Sequence, residues 1–228
     1  MNFEKLRQKY LKLYEAMKEW HRIAPRPHRG HGLDHDVTVA MLAVKIAPDE
    51  RTAELGFIAG LLHSIDRTVE RGNKQAVEDK VLEMFTHFPE DITSDERGDI
   101  LLTVLNHSDL NKDDQPLVQQ VLMDADRLAN LMILVMIRAG QFQPELPPIE
   151  FNFMDRPNPK STYRDPCSII DDMRGCLSQL GEGHVGYIEQ IRVPKAQILG
   201  AYYHGRLNSV VEMIREDHEK LGLSGIEL

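Results

Sequence analysis

Hydrophobic positions in this chain recur at intervals of three and four almost throughout. Phe3, Leu6, Tyr10, Leu13, Met17 and Trp20 make one such stripe, and it predicts an amphipathic α-helix over the N-terminal segment. Two prolines and two glycines in HRIAPRPHRGHGLDH then break the pattern. Val37, Ala40, Met41 and Val44 resume helical spacing up to Ile46, with His31 and His35 near the start of that second helix. Pro48 and the acidic residues after it suit a helix start, so a third helix is expected to run to about His63.

SIDRTVERGNK reads as a polar loop, QAVEDKVLEMFTHF as a helix ended by Pro89, and TSDERGDILLTVLNH as a helix capped by Thr93 or Ser94. After SDLNKDDQP, one long helix is expected from Leu117 to Arg138, closed by Gly140. Residues 141–166 carry six prolines and little periodicity; a connection of that length is expected to form a lid or the edge of a pocket. CSIIDDMRGCLSQL and the segment from Val193 to Leu223 supply two further helices. No segment alternates as a strand would. The pattern therefore predicts an all-α bundle in a single domain spanning residues 1–228. Its core motifs would lie in 25–140, an irregular lid-like segment in 141–166, and C-terminal helices in 167–228.

Composition narrows the function classes. A hydrophobic fraction of 42% and a charged fraction of 28% over 228 residues are those of an ordinary globular chain. A net charge of -9 argues against a partner held through nucleic-acid phosphates and leaves small phosphorylated ligands open. The two cysteines, Cys167 and Cys176, form no CxxC pair and read as small core residues in a reducing compartment. The N-terminus has no apolar signal-like run, and the apolar stretch Leu131–Ile137 is far short of the roughly 20 residues that cross a bilayer. The expected location is cytoplasmic, with no membrane partner. GEGHVG lacks the Lys-Ser/Thr ending of a phosphate-cradling loop and reads as a turn between helices.

Four residues stand out together: His35, His63, His107 and Asp126, each in or at the end of a different predicted helix. Facing helices of a bundle can project such side chains to one point. Imidazole nitrogen and carboxylate oxygen suit Mn²⁺, Fe²⁺, Co²⁺, Ni²⁺ or Zn²⁺. Taken singly, His63 and His107 read as caps of apolar helices rather than as ligands. Asp126 is harder to explain that way, since VLMDADRLANLMILVM places a carboxylate among apolar neighbours, where it is costly unless paired or bound to a metal.

In order and spacing, HGLDHDVTVAMLAVKIA, AGLLHSID, VLNHS and DADRLANL resemble the successive signatures of the HD-domain superfamily of metal-dependent phosphohydrolases, over roughly residues 25–140. The resemblance implies an all-helical HD-domain-like fold and a divalent metal ion held by His35, His63 and Asp126, with Asp126 preferred to Asp124. It also implies that His107 lies near the metal or the scissile phosphate. At Ser64 the chain departs from the motif, which has a metal-binding aspartate there; a hydroxyl is a much weaker ligand, and its loss puts a two-metal centre in doubt. Asp66, three residues beyond His63, is a candidate to compensate, and Asp34, Asp36 and Asp124 to orient the histidines.

The expected activity is hydrolysis of a small phosphorylated molecule such as a nucleotide by metal-activated water. The alternative is a catalytically weak nucleotide- or phosphate-binding sensor, and a third reading is a structural helical protein. Candidate substrate contacts are His31, Arg67 and Lys74, with Arg26, His28, Arg29 and Arg71 nearby. Arg127 reads as a salt-bridge partner instead. A phosphorylated ligand is the expected partner, with a second copy of the chain, as a homodimer, a further one.

Overall fold

A computed structural model of the chain describes residues 2–26, 30–181, 183–223 and 225–226. It is all-α. The helices are α1 (Phe3–Lys9), α2 (Leu11–Ile23), α3 (Leu33–Ile46), α4 (Glu50–Leu62), α5 (Ile65–Thr68), α6 (Lys74–Met84), α7 (Ser94–Asn106), α8 (Leu117–Leu131), α9 (Val135–Phe142), α10 (Ile169–Cys176) and α11 (Pro194–Lys220). Among the described residues no strand is present, and no helix is long and apolar enough to cross a membrane.

The N-terminal stripe is real but broken. Leu6, Tyr10, Leu13 and Met17 are fully buried, and the helix is interrupted at Tyr10 between α1 and α2. At the centre α3, α4 and α8 pack together. Gly60 allows α4 to approach α3 there, since a Cβ at that position would lie 2.5 Å from the Ala40 Cα. α7 begins with a capping box in which the Thr93 hydroxyl accepts from the Glu96 N–H and the Glu96 carboxylate accepts from the Thr93 N–H.

Three expectations are corrected. The loop after His63 contains α5, because Ile65 and Thr68 are fully buried and hold that turn against the core. His31 precedes α3, so it does not share a helical face with His35. The long helix from Leu117 breaks at Met132, which is extended, and Gly140 lies inside α9 and ends nothing. Continuous helix would have carried Arg138 roughly 18 Å along the axis from Asp126. The break instead turns α9 back toward α3.

Two buried charged networks hold the C-terminal part. Asp124 accepts from the N–H groups of Arg192 (3.0 Å) and Val193 (2.7 Å) and from the Asn111 amide (2.6 Å), which fixes the start of α11. Burial nonetheless outweighs these bonds and pushes the Asp124 carboxyl up to about 6. Asp171 accepts from the Asn158 N–H and the Ser161 hydroxyl, while Arg174 donates to the carbonyls of Phe153, Met154 and Arg156. Beyond the end of α9 the proline-rich segment has no regular structure but one turn of 3₁₀ helix, and these two side chains bond four of its backbone groups.

Candidate metal centre

Each member of the cluster comes from a different helix. His35 is in the first turn of α3, His63 caps α4, His107 caps α7, and Asp126 lies within α8. The two caps use the same local device. The Nδ1–H of His63 donates to the Gly60 carbonyl and that of His107 to the Val104 carbonyl, each at 2.7 Å, three residues back. A helix end leaves such carbonyls without intrahelical partners. Satisfying one in this way fixes the tautomer and leaves Nε2 as the free acceptor.

His63 Nε2 lies 3.2 Å from His35 Nε2 and 3.9 Å from Asp126 Oδ1, and His35 Nε2 lies 3.4 Å from Asp126 Oδ1. Among the described residues these three form the group of His, Cys, Asp or Glu side chains close enough to share an ion. Donors bound to one ion at about 2.1 Å, at tetrahedral or octahedral angles, lie roughly 3.0–3.5 Å from one another. The observed separations fit that spacing with little adjustment. Behind His63, Asp36 is fully buried, with Oδ1 3.6 Å from His63 Nδ1 and Oδ2 2.7 Å from His21 Nε2 on α2. A carboxylate behind a ligating imidazole is the usual support of a metal-binding histidine.

Protonation favours cation binding. Burial pushes His63 down to about 4 and lowers His35, against the opposing pull of nearby carboxylates. At neutral pH the two imidazoles are therefore neutral, and their nitrogens converge with the Asp126 carboxyl oxygen. Such an arrangement needs a positive charge among them.

Ser64 is fully buried, with its hydroxyl 3.3 Å from His63 Nε2. Asp66 stands outside the three converging side chains. It lies in the first turn of α5, and its Oδ2 is 3.4 Å from Arg67 Nε.

The cluster opens into a cavity of about 400 Å³. His31, Arg67, Arg71, His107 and Asp126 line it on the bundle side, and Gln143, Tyr163, Arg164, Asp172, Cys176 and Tyr187 on the C-terminal side. The segment expected to be a lid thus contributes Gln143, Tyr163 and Arg164. His31 packs edge-on against His35 and Phe142, and burial holds its imidazole well below the ordinary value. Lys74 is exposed at the start of α6 and is not part of the wall, and Arg26 is tied to the Val69 carbonyl. His28 and Arg29 lie outside the described residues.

Sequence reasoning missed several wall residues. Tyr163 and Tyr187 touch through their hydroxyls, and burial pushes Tyr163 up to about 12. Burial also raises Asp172 to about 6. Arg127 is no salt-bridge partner, as it donates to the carbonyls of Met123 and Asp109 and to Gln190 Oε1. Arg138 on α9 reaches the cluster itself. An arginine directly after the apolar run LMILVMI was the available signal, because a charge there must be buried or end the helix.

Comparison with known proteins gives the following. Residues 32–131 match the HD domain family. No match is found among curated protein sequences. A crystal structure of a Lactobacillus plantarum protein is similar to this chain with a TM-score of 0.67 at 19% identity, covering 93% of this chain and 98% of that one. The structure of Bacillus subtilis YpgQ in complex with ADP is similar with a TM-score of 0.58 at 16% identity, covering 91% and 97%. At these identities the likeness is one of fold.

Proposed function

We propose, from the premise that this chain is a member of the HD-domain superfamily through residues 32–131, that it is a metal-dependent phosphohydrolase acting on a small phosphorylated molecule. The observation that carries this reading is a contrast of charge. The chain as a whole has a net charge of -9, yet five arginines (Arg67, Arg71, Arg127, Arg138, Arg164) face three aspartates (Asp109, Asp126, Asp172) around the cavity next to the acceptor cluster. A cavity with surplus positive charge in an acidic protein selects an anion.

His35, His63 and Asp126 would hold the ion. A divalent cation bound there supplies Lewis acidity, activating water and polarising a phosphoryl oxygen. Arg67 and Arg71, from the chain after α5, and Arg164, from the opposite wall, bind and orient the phosphoryl group and offset the charge that develops on it. His107, with Nδ1 committed to Val104, offers Nε2 as a proton acceptor to the attacking water. Tyr163, Arg164 and Tyr187 line the far side. ADP in the Bacillus subtilis relative supports nucleotides as the first substrates to try. Ser64 supports one ion over two, since a second would lack its bridging carboxylate.

Tag-free protein stripped of metal and reloaded with Mn²⁺, Co²⁺ or Zn²⁺ should bind about one ion per chain and hydrolyse a nucleoside mono-, di- or triphosphate. His35→Ala and Asp126→Ala should lower turnover at least about a hundredfold and lose the ion. Ion binding with phosphate-ester affinity but no turnover would replace this reading by the sensor. No ion and no ligand would end both.

A further inference from the structure

Arg138 contacts the cluster with a geometry that conflicts with a metal ion. Its Nε donates to the Gly30 carbonyl at 2.9 Å, Nη1 to the Asn130 side-chain oxygen at 3.2 Å, and Nη2 to His35 Nε2 at 3.1 Å. Asn130 in turn donates to Asp126 Oδ1 at 3.2 Å, so the guanidinium is linked to two of the three converging groups. A guanidinium has donors and no acceptor. The His35 nitrogen must therefore be accepting, through the single in-plane lone pair by which an imidazole binds a metal. That pair cannot accept an N–H and hold an ion at once.

We propose that Arg138 is a resident counter-cation of the centre: it neutralises the cluster when no metal is bound, competes for His35, and thereby sets a weak metal affinity. The inference rests on the reading of His35, His63 and Asp126 as a metal site. Two features act in the same direction. Ser64 removes the negative charge that the motif aspartate would supply, and Arg138 adds a positive one beside the atoms that remain. Arg138 is 8% exposed, so its charge is poorly screened where it acts. Its position follows from the break at Met132, without which α9 could not return to α3. Ion entry then requires Nη2 to leave His35, and the guanidinium already borders the cavity where an anionic substrate would meet it.

Arg138 is thus a positioning residue whose removal has a characteristic sign. Titration of stripped, tag-free protein with Mn²⁺ or Zn²⁺ by calorimetry should show Arg138→Gln binding at least about tenfold more tightly than wild type, since a unit charge close to the ion is lost from a buried site. Arg138→Lys, which keeps the charge but cannot bond Gly30, Asn130 and His35 together, should give a smaller gain. An Arg138 that merely props up the cluster predicts the opposite, a loss of affinity in both variants. Equal or weaker binding by both variants overturns the proposal. Melting curves establish which variants fold, and Arg138→Lys carries the test if the glutamine variant does not. Tight binding by wild type with no gain in the variants removes this inference alone, whereas no binding by any of the three proteins removes the metal reading with it.

Discussion

His63 illustrates how a residue can cap a helix with one ring nitrogen and leave the other able to take a metal ion. Its Nδ1–H satisfies the Gly60 carbonyl at the end of α4, and that bond is what leaves Nε2 accepting and aimed at His35 and Asp126. The two readings of such a histidine are therefore one arrangement seen from its two nitrogens. Ser64 next to it is the position where charge matters most. The hydroxyl lies 3.3 Å from the acceptor nitrogen of His63 and is wholly buried, so a carboxylate there would join the donor set. Ser64→Asp is expected to tighten divalent-ion binding about tenfold or more, read by calorimetry on the stripped protein. No change in affinity would mean that the side chain at 64 does not reach the ion.

At the level of helices, the cluster depends on how closely α3 and α4 approach. Gly60 sets that distance, because an added Cβ would meet the Ala40 Cα at 2.5 Å and the Ala40 N at 2.7 Å, and backbone cannot yield as a side-chain tip can. Gly60→Ala should destabilise the protein by about 1–3 kcal/mol or more, lower its melting temperature, and weaken ion binding by separating His35 from His63. Gly98 in α7 provides the internal control. No atom lies within 4 Å of a Cβ built there, so Gly98→Ala should be neutral or stabilising by up to about 1 kcal/mol. Equal melting temperatures for the two variants would show that the crossing is not close packed.

At the scale of the whole molecule, a surface network joins distant parts of the bundle. Lys9 of α1 pairs with Glu54 of α4 and with Asp91, and Arg51 of α4 pairs with Glu54 and, through two nitrogens, with Glu96 of α7. The Arg51 guanidinium holds the Glu96 carboxyl at about 2, against a smaller opposing effect of burial and with help from Thr93. A carboxyl held below its unfolded value of 4.5 favours folding at full strength above that pH and loses its contribution as pH falls from 4.5 toward 2. Glu96→Gln should cost about 1 kcal/mol at neutral pH, the pair being partly exposed and screened. The gap in melting temperature between variant and wild type should close across that acid window. A gap independent of pH would assign the cost to the lost helix cap.

Periodicity alone determined much of this molecule, because a stripe at three- and four-residue spacing has one economical use, the face of a helix on a core. The all-α class was legible for that reason, the cap at Thr93 or Ser94 from the capping residues themselves, and the grouping of His35, His63 and Asp126 only through the resemblance of short motifs to the HD domain. Tertiary structure decided the rest. That a helical turn follows His63 depended on Ile65 and Thr68 packing in α5, and whether one helix or two followed Leu117 depended on the break at Met132. The cavity wall of Tyr163, Arg164, Asp172 and Tyr187 comes from chain far from the motifs and is held by Asp171 and Arg174 rather than by any repeat. Arg138 is the clearest case. Its sequence position says only that a charge follows an apolar run, and the contact with His35, 103 residues away, exists because the fold brought acceptors to its three donating nitrogens.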